Sequence, residues 1–230
     1  MLETILGEVR QEYLRRMTRG EGRLLQEVEH YVTAREGKML RPRLTLLAAA
    51  TLGDEVLCSR RTLLMATCVE MLHNASLLHD DVIDRAWSRR GQPSVNARWN
   101  NRVAVLAGDY HLAQIMALLN ESNDSEASRL INDTVMAMVE SELLQQEIIA
   151  GLEMTEYNYL KIIDGKTARL FSTACALGNP DYADYGLHYG RLFQLRDDVA
   201  DHEETPWTAQ LIEREEEILK HLKGLVESEE

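Results

Sequence analysis

The sequence contains a cluster of carboxylates, HDDVID over residues 79–84, that ends an otherwise apolar stretch. On a helix, residues four apart share a face, so Asp80 and Asp84 would project the same way, with Asp81 about 100° round the axis. Two carboxylates on one face repel each other and need a counter-charge, for which a hard divalent cation is suited. A solvated helix end explains the motif equally well when it is taken alone.

The same spacing recurs in DDVAD over residues 197–201, again after an apolar helical stretch at 187–195. Two such clusters, on helices that can face each other, could form a polycarboxylate metal site in a helical bundle. Magnesium bound by few carboxylates commonly completes its octahedron with water and phosphate oxygens. The two motifs together therefore predict a diphosphate bridged by Mg²⁺, and they make two solvated helix ends the weaker interpretation.

Basic residues beside glycines could supply the fixed positive charges that a diphosphate needs. They fall in three places: Lys38 and Arg41 beside Gly37, Arg89 and Arg90 before Gly91, and Lys166 with Thr167 after Gly165. Exposed basic residues are usually just solvated by water and bind nothing, but a neighbouring glycine permits the backbone to approach an anion closely. The sequence has no P-loop, no G-x-S-x-G motif and no H-E-x-x-H motif, so it does not indicate a nucleotide loop, a serine nucleophile or a zinc hydrolase.

The composition excludes several other classes of protein. The chain of 230 residues is 45% hydrophobic and 27% charged, which is typical of a folded domain with a sizeable core. A net charge of −13 argues against nucleic acid as a partner. The three cysteines are widely spaced, which fits buried thiols in a reducing compartment better than disulfides.

The N-terminus and the apolar runs predict a cytoplasmic protein without a transmembrane segment. The first residues lack the basic and apolar regions of a secretory signal. The longest uncharged apolar run, at 44–52, is too short to span a bilayer.

Apolar residues recur at helical spacing almost throughout, which predicts an all-α, single-domain helical bundle over residues 1–230, with roughly eight to ten helices. The most apolar stretch, 62–84, is polar only at Glu70, His73, Asn74 and its acidic end, which is typical of a central buried helix. The other strong helices are expected at 103–119, 129–149 and 182–201. No run of alternating strands and no long linker is evident.

The last segment, at about 203–230, is strongly acidic and has only a weak helical pattern. This composition is typical of a solvated terminal helix. A tail that binds a specific partner is the alternative.

Six blocks of the sequence, in order, resemble the trans-isoprenyl (all-trans polyprenyl) diphosphate synthase family. They are GKMLRP (37–42), CVEMLHNASLLHDDVIDRAWSRRGQPS (68–94), AVLAGDYHLAQ (104–114), SELLQQ (141–146), YLKIIDGKTARLF (159–171) and GRLFQLRDDVAD (190–201). Terpene cyclases carry a different second motif, and squalene-synthase-like enzymes lack the RRG and GKTA context. The resemblance implies the isoprenoid synthase fold, a helical bundle around a central cavity.

The resemblance implies a prenyl transferase that condenses isopentenyl diphosphate head-to-tail with an allylic prenyl diphosphate, through a Mg²⁺-assisted allylic cation. By motif position, the metal ligands would be Asp80, Asp84 and Asp197, supported by Asp81, Asp198 and Asp201. The residues that hold isopentenyl diphosphate would be Lys38, Arg41, His73 and Arg90. Those on the allylic diphosphate would be Arg89, Lys166, Thr167 and Gln194. For His73, a plain core histidine is the alternative.

Two further expectations concern assembly and product length. The family usually pairs through helices near the cavity, so a homodimer or a dimer with a related chain is expected, with apolar surface supplied by 103–119. Bulky residues one turn before the first motif stop chain growth early in this family. Ala75 and Ser76 are small, which predicts a product of C20 or longer, unless they are small only because neighbouring helices pack closely there.

The sequence departs from the family after Asp201, where HEETPW and one acidic helix follow in place of a Gly-Lys-containing loop and several further helices. A shortened C-terminus leaves a second hypothesis open. The chain would then be a non-catalytic or partner-dependent subunit of a heteromeric prenyl diphosphate synthase. A terpene cyclase is a third possibility.

Overall fold

The computed structural model describes residues 1–34 and 37–228, with side chains as far as residue 223. These residues are almost entirely helical, so the predicted all-α class is confirmed. The chain divides into two compact units, Met1–Ser125 and Glu126–Glu230. A single domain over residues 1–230 stays a prediction.

The first unit consists of helices and one short hairpin. Its elements are α1 (Leu2–Met17), α2 (Arg23–Thr33), α3 (Leu40–Ala50), α4 (Asp54–Leu57), α5 (Arg60–Ile83), β1 (Ser88–Arg89), β2 (Gln92–Pro93), α6 (Val95–Arg98) and α7 (Asn101–Ser122). Helices α1, α3 and α7 pack against α5.

Helix α5 is the centre of this unit because it is apolar on nearly every side. Ser59 caps its N-terminus by accepting a hydrogen bond from the backbone N–H of Thr62. Met65 and Val69 are fully buried along its length. The helix ends at Ile83, so the first aspartate motif occupies its last turn.

The hairpin that follows α5 was not predicted. Ser88 pairs with Pro93 and Arg89 with Gln92, in antiparallel register. Arg90 and Gly91 at its tip have φ of 51° and 74°, as a two-residue hairpin turn with two left-handed positions requires. The turn holds the two arginines close to the end of α5.

The second unit begins with a long helix. Its elements are α8 (Ser125–Ile149), α9 (Glu156–Ile163), a π-helical segment (Asp164–Ala168), α10 (Arg169–Gly178), a 3₁₀ turn (Pro180–Tyr182), α11 (Ala183–Ala200) and α12 (Thr208–Ser228). The described residues thus form twelve α-helices, more than the eight to ten expected, because α4 and α6 are single turns.

The π-helical segment packs against α8 at Gly165. A Cβ at this position would lie 2.5 Å from Cβ of Ser141 and 2.6 Å from the carbonyl oxygen of Ala137. Only glycine permits this approach. Because π-helical turns widen a helix locally, this segment re-aims Lys166 and Thr167, which follow Gly165.

Helix α12 lies within the acidic segment predicted at 203–230, of which residues 229 and 230 lie outside the described part. Its inner face packs on α11. Leu211 and Leu219 are 1% and 8% exposed, and Glu215 between them is fully buried. The expectation of a helix that is simply solvated is therefore wrong for this face.

Two of the three cysteines are buried, as expected. Burial raises the pKa of Cys68 to about 12 and that of Cys175 to about 12, so both remain thiols. Cys58 is exposed, which differs from the expectation, because it lies at the loop between α4 and α5.

In the described part of the chain, α7 is the one helix that is long and apolar enough to cross a membrane. The apolar stretch is 39% buried. A core helix has the same length and composition, so this is weak evidence for a membrane span.

Candidate functional site

The first aspartate motif has carboxylates that face in two directions. Asp81 is buried, with its side chain 4% exposed. Its Oδ1 accepts hydrogen bonds from Nε and Nη2 of Arg89, at 2.9 and 2.6 Å. Asp80 is half-buried and Asp84 is exposed. Burial raises the pKa of Asp81, while the guanidinium of Arg89 acts in the opposite direction.

The second aspartate motif repeats this division. Asp198 is buried, and Nε2 of Gln194 donates to its Oδ1 at 2.7 Å. The hydroxyl of Tyr159 donates to its Oδ2. Asp197 and Asp201 are exposed on the outer side of the helix end.

In each motif, therefore, protein donors hold the middle aspartate inward. Of the flanking carboxylates, Asp84, Asp197 and Asp201 are exposed and Asp80 is half-buried. Outward carboxylates four residues apart form the oxygen-only donor set that a hard divalent cation prefers. Within the described residues, no group of three or more His, Cys, Asp or Glu side chains is close enough to hold a metal alone. Such a donor set fits Mg²⁺, which keeps waters and phosphate oxygens as its other ligands.

A cluster of positive charge lies beside α5 in the first unit. Nη1 of Arg41 lies 3.3 Å from Nε2 of His73. Arg90 covers the backbone of Gly37, where a Cβ would lie 2.8 Å from its Nη2. Three of the four residues predicted to hold isopentenyl diphosphate are thus brought near each other. The fourth, Lys38, is exposed on the segment that precedes α3.

The electrostatics of this cluster keep His73 neutral. Burial holds the pKa of His73 well below its usual range, and Arg41, Arg90 and Arg89 act in the same direction. A neutral imidazole can accept a hydrogen bond from Arg41 and still donate through its other nitrogen. The alternative of a plain core histidine does not account for its contact with Arg41 and its three cationic neighbours.

A buried carboxylate, that of Glu70, lies close enough to Arg41 and Arg90 to interact with their charges. Glu70 is 4% exposed, and Nδ2 of Asn74 donates to its Oε1 at 3.1 Å. Burial raises the pKa of Glu70, against the charges of Arg90 and Arg41. Glu70 was not assigned a role from the sequence, although it is one of the few polar residues in the apolar stretch of α5.

The second unit places Lys166 against α8. Its Nζ lies 3.0 Å from Oε2 of Glu142 and donates to Oε1 of Gln145 at 3.1 Å. Glu142 and Gln145 are one helical turn apart and share a face. They belong to the SELLQQ block, but neither was predicted as a site residue. The block match was the only signal in the sequence for them.

Thr167, Gln194 and Asp198 are joined in a single line of hydrogen bonds. Thr167 Oγ1 donates to Oε1 of Gln194 at 2.7 Å, and Gln194 in turn donates to Asp198. Lys166, Thr167, Gln194, Asp198 and Tyr159 all line one cavity of about 320 Å³ in this unit. Burial raises the pKa of Tyr159, and the neighbouring carboxylate of Asp198 raises it further.

Comparison with known proteins identifies the family of the chain. The family model of polyprenyl synthetase matches residues 22–210. The chain is 37% identical over 188 residues to the all-trans-nonaprenyl-diphosphate synthase (geranyl-diphosphate specific) of Rhodobacter capsulatus, covering 78% of this chain and 57% of that protein. It is 32% identical over 189 residues to the octaprenyl diphosphate synthase of Escherichia coli, and the match covers 78% of this chain and 58% of that protein. The chain thus spans less than two thirds of the length of these relatives.

Solved structures show the same fold. The polyprenyl synthase of Caulobacter crescentus, complexed with calcium and isoprenyl diphosphate, is 31% identical with a TM-score of 0.82, covering 88% of this chain and 64% of that one. The geranyltranstransferase of Thermotoga maritima has a TM-score of 0.86, and the match covers 99% of this chain and 92% of that one. Because its identity is only 23%, it shows the fold alone. With the fold, the motifs and the family model in agreement, the chain belongs to the polyprenyl synthetase family and has the all-α isoprenoid synthase fold.

Proposed function

We propose that the chain is a Mg²⁺-dependent trans-prenyltransferase that condenses isopentenyl diphosphate head-to-tail with an allylic prenyl diphosphate. The observation that carries the proposal is on α5. His73, within the arginine cluster, and Asp80 of the first motif are seven residues apart, which puts both on one face about 10 Å apart along the axis. A cationic cluster and a carboxylate motif at this spacing suit two diphosphates whose reacting carbons must meet.

The proposed roles follow from the directions of the side chains. The proposed Mg²⁺ ligands are Asp80 and Asp84 in the first unit and Asp197 in the second, supported by Asp201. The metal would neutralise the leaving diphosphate as a Lewis acid. Asp81 and Asp198 support the motifs from inside, since Arg89 donates to one oxygen of Asp81, and Gln194 and Tyr159 donate to the two oxygens of Asp198. The proposed role of these two is to anchor the motifs.

The basic residues are proposed to bind and orient the two substrates. Lys38, Arg41, Arg90 and neutral His73 hold isopentenyl diphosphate. Arg89, Lys166, Thr167 and Gln194 contact the allylic diphosphate, for which Arg89 and Lys166 exchange part of their carboxylate contacts for phosphate oxygens.

The reaction then needs no protein nucleophile. The allylic C–O bond breaks, and both of its electrons leave with pyrophosphate. The double bond of isopentenyl diphosphate attacks the allylic cation to form the new C–C bond, and the departing pyrophosphate accepts the proton that is lost. The residues contribute position and charge complementarity.

The test is incubation with Mg²⁺, farnesyl diphosphate and radiolabelled isopentenyl diphosphate. Extractable labelled product supports the proposal. A chain that binds both substrates without turnover supports the non-catalytic subunit instead, and addition of a full-length relative should then restore activity. A chain that binds neither overturns both.

We also propose a homodimer, or a dimer with a related chain, located in the cytoplasm. Helix α7 exposes Leu106 and Met116, which are 66% and 67% exposed. Helix α8 exposes Met136, Val139 and Leu143 at helical spacing, on one face. Exposed apolar faces of this kind are typical of protein–protein interfaces, which supports the proposed dimer.

A further inference from the structure

We infer that Tyr159 is a positioning residue of the site: its hydroxyl holds Asp198 inward and so orients Gln194 and Thr167 toward the allylic diphosphate. The inference rests on the proposed function, and it assigns a role to a residue of α9, outside both aspartate motifs.

The first step concerns the carboxylate of Asp198. Gln194 donates to one of its oxygens and Tyr159 to the other. The residue is only 7% exposed, so the two donors account for both oxygens in a buried setting. Without the tyrosine hydroxyl, Oδ2 would lose its partner, and the carboxylate would turn toward water beside Asp197.

The second step concerns the amide of Gln194. Because Thr167 Oγ1 donates to Oε1, the amide has to present Nε2 to Asp198. The orientation of Gln194 therefore depends on a correctly placed acceptor. A shift of Asp198 would release the amide and, through it, the hydroxyl of Thr167.

The third step concerns Tyr159 itself, which is fixed in place by the residues packed around it. Its ring is 6% exposed and packs with Ile163, Leu195 and Leu211. The side chain of Thr208, at the start of α12, also lies close to its hydroxyl. The donor that fixes Asp198 thus sits in a rigid core, as accurate positioning requires.

The test compares Tyr159→Phe with Tyr157→Phe. Both lie on α9 and lose one oxygen, but Tyr157 is 72% exposed. Tyr159→Phe keeps the buried ring, so the fold should survive, which circular dichroism checks. We expect its Kd for inorganic pyrophosphate in the presence of Mg²⁺ to rise about tenfold, as for the loss of one hydrogen bond to a charged group. Tyr157→Phe should match the wild type.

Turnover supplies a readout that a purely structural role would not move. In Tyr159→Phe, KM for the allylic substrate should rise and kcat should fall, while KM for isopentenyl diphosphate stays constant. Equal changes in both KM values, or wild-type behaviour throughout, would overturn the inference.

A double-mutant cycle on unfolding is independent of activity. If Tyr159 acts through Asp198, the effects of Tyr159→Phe and Asp198→Asn on the free energy of unfolding will not add. Additive effects overturn the inference. If the wild type binds neither Mg²⁺ nor pyrophosphate, the proposed function fails and the positioning role fails with it, whereas a functional wild type with an unaffected Tyr159→Phe defeats this inference alone.

Discussion

At the scale of single residues, the two aspartate motifs use the same chemistry for two purposes. Asp81 and Asp198 have protein hydrogen-bond donors and are buried, whereas Asp84, Asp197 and Asp201 lie on the exposed side. A buried carboxylate is stable only with such donors, whereas a ligand can reach an exposed one from the solvent. One motif can therefore serve folding through its middle carboxylate and, in the proposed function, binding through the others.

The first prediction compares neighbours in the first motif. Asp80→Ala should abolish turnover with little loss of stability, and removing one of the repelling carboxylates should not lower the melting temperature in EDTA. Asp81→Ala should lower the free energy of unfolding by about 1–3 kcal/mol, because Arg89 loses its partner. Thermal unfolding with and without Mg²⁺ measures both. A large loss of stability for Asp80→Ala in EDTA would make it a structural residue.

The same division applies to the second motif. Asp197→Ala should behave like Asp80→Ala, with loss of turnover and an unchanged melting temperature in EDTA. If instead Asp197→Ala retains activity, the proposed assignment of Asp197 as a metal ligand is wrong.

At the scale of elements, α1 is joined to its neighbours by a charge network around Glu12. Nε of Arg15 and Nε of Arg16 each lie 2.8 Å from its carboxylate, and Nη2 of Arg60 on α5 lies 3.3 Å away. Glu121 on α7 pairs with Arg16 and Arg60 as well. The network therefore joins three helices of the first unit.

The second prediction follows from the pKa of Glu12. The hydrogen bond from Arg15, with help from Arg16, lowers this pKa to about 2 from a usual value of 4.5. A lowered folded-state pKa contributes stability above the unfolded-state value, which is lost as the pH falls toward 2. Urea unfolding should therefore show Glu12→Gln less stable than wild type at pH 7, with the gap narrowing in acid. A gap that does not depend on pH would contradict this.

The third prediction concerns product length and the turn of α5 before the first motif. Ala75 is 1% exposed and Ser76 is half-buried. Since neither has a bulky side chain, we expect a product of C20 or longer, and Ala75→Phe should shorten it. Ser76→Phe is the second probe, in case the buried alanine site does not accept a ring, and the exposed Ala209→Phe is the control. Chromatography of the products decides between these outcomes. A wild type that stops at C15, with Ala75→Phe unchanged, would place the obstruction elsewhere.

At the scale of the whole molecule, the proposed dimer gives the fourth prediction. Sedimentation should show a species of about twice the 26.2 kDa chain mass. Met136→Glu together with Leu143→Glu should shift it to monomer, because charge is costly to bury in an apolar interface. Leu24→Glu, at an exposed position of α2, is the matched control. A wild type that sediments only as monomer at micromolar concentration would contradict the dimer.

Much of the architecture could be predicted from local pattern. Helices α5, α7, α8 and α11 lie where apolar spacing placed them, because helical periodicity is a property of neighbouring residues. The motif blocks also led to the correct family, since their order and spacing are written in the chain.

Other features depend on residues distant in sequence. The hairpin that carries Arg90, and the contact of Arg90 with Gly37, need two separate segments to meet. The need for glycine at residue 165 arises because α8 comes within contact distance of the π-helical turn. Local propensity contains no information about such approaches.

The sequence by itself therefore determined the helical class, the family and the identity of the clustered carboxylates and cations. Only the tertiary structure decided that Asp81 and Asp198 face inward, that Glu142 pairs with Lys166, and that the hydroxyl of Tyr159 donates to Asp198. The physical reason is that a DDxxD spacing specifies which side chains share a helix face, whereas the direction of that face depends on which donors neighbouring elements bring to it.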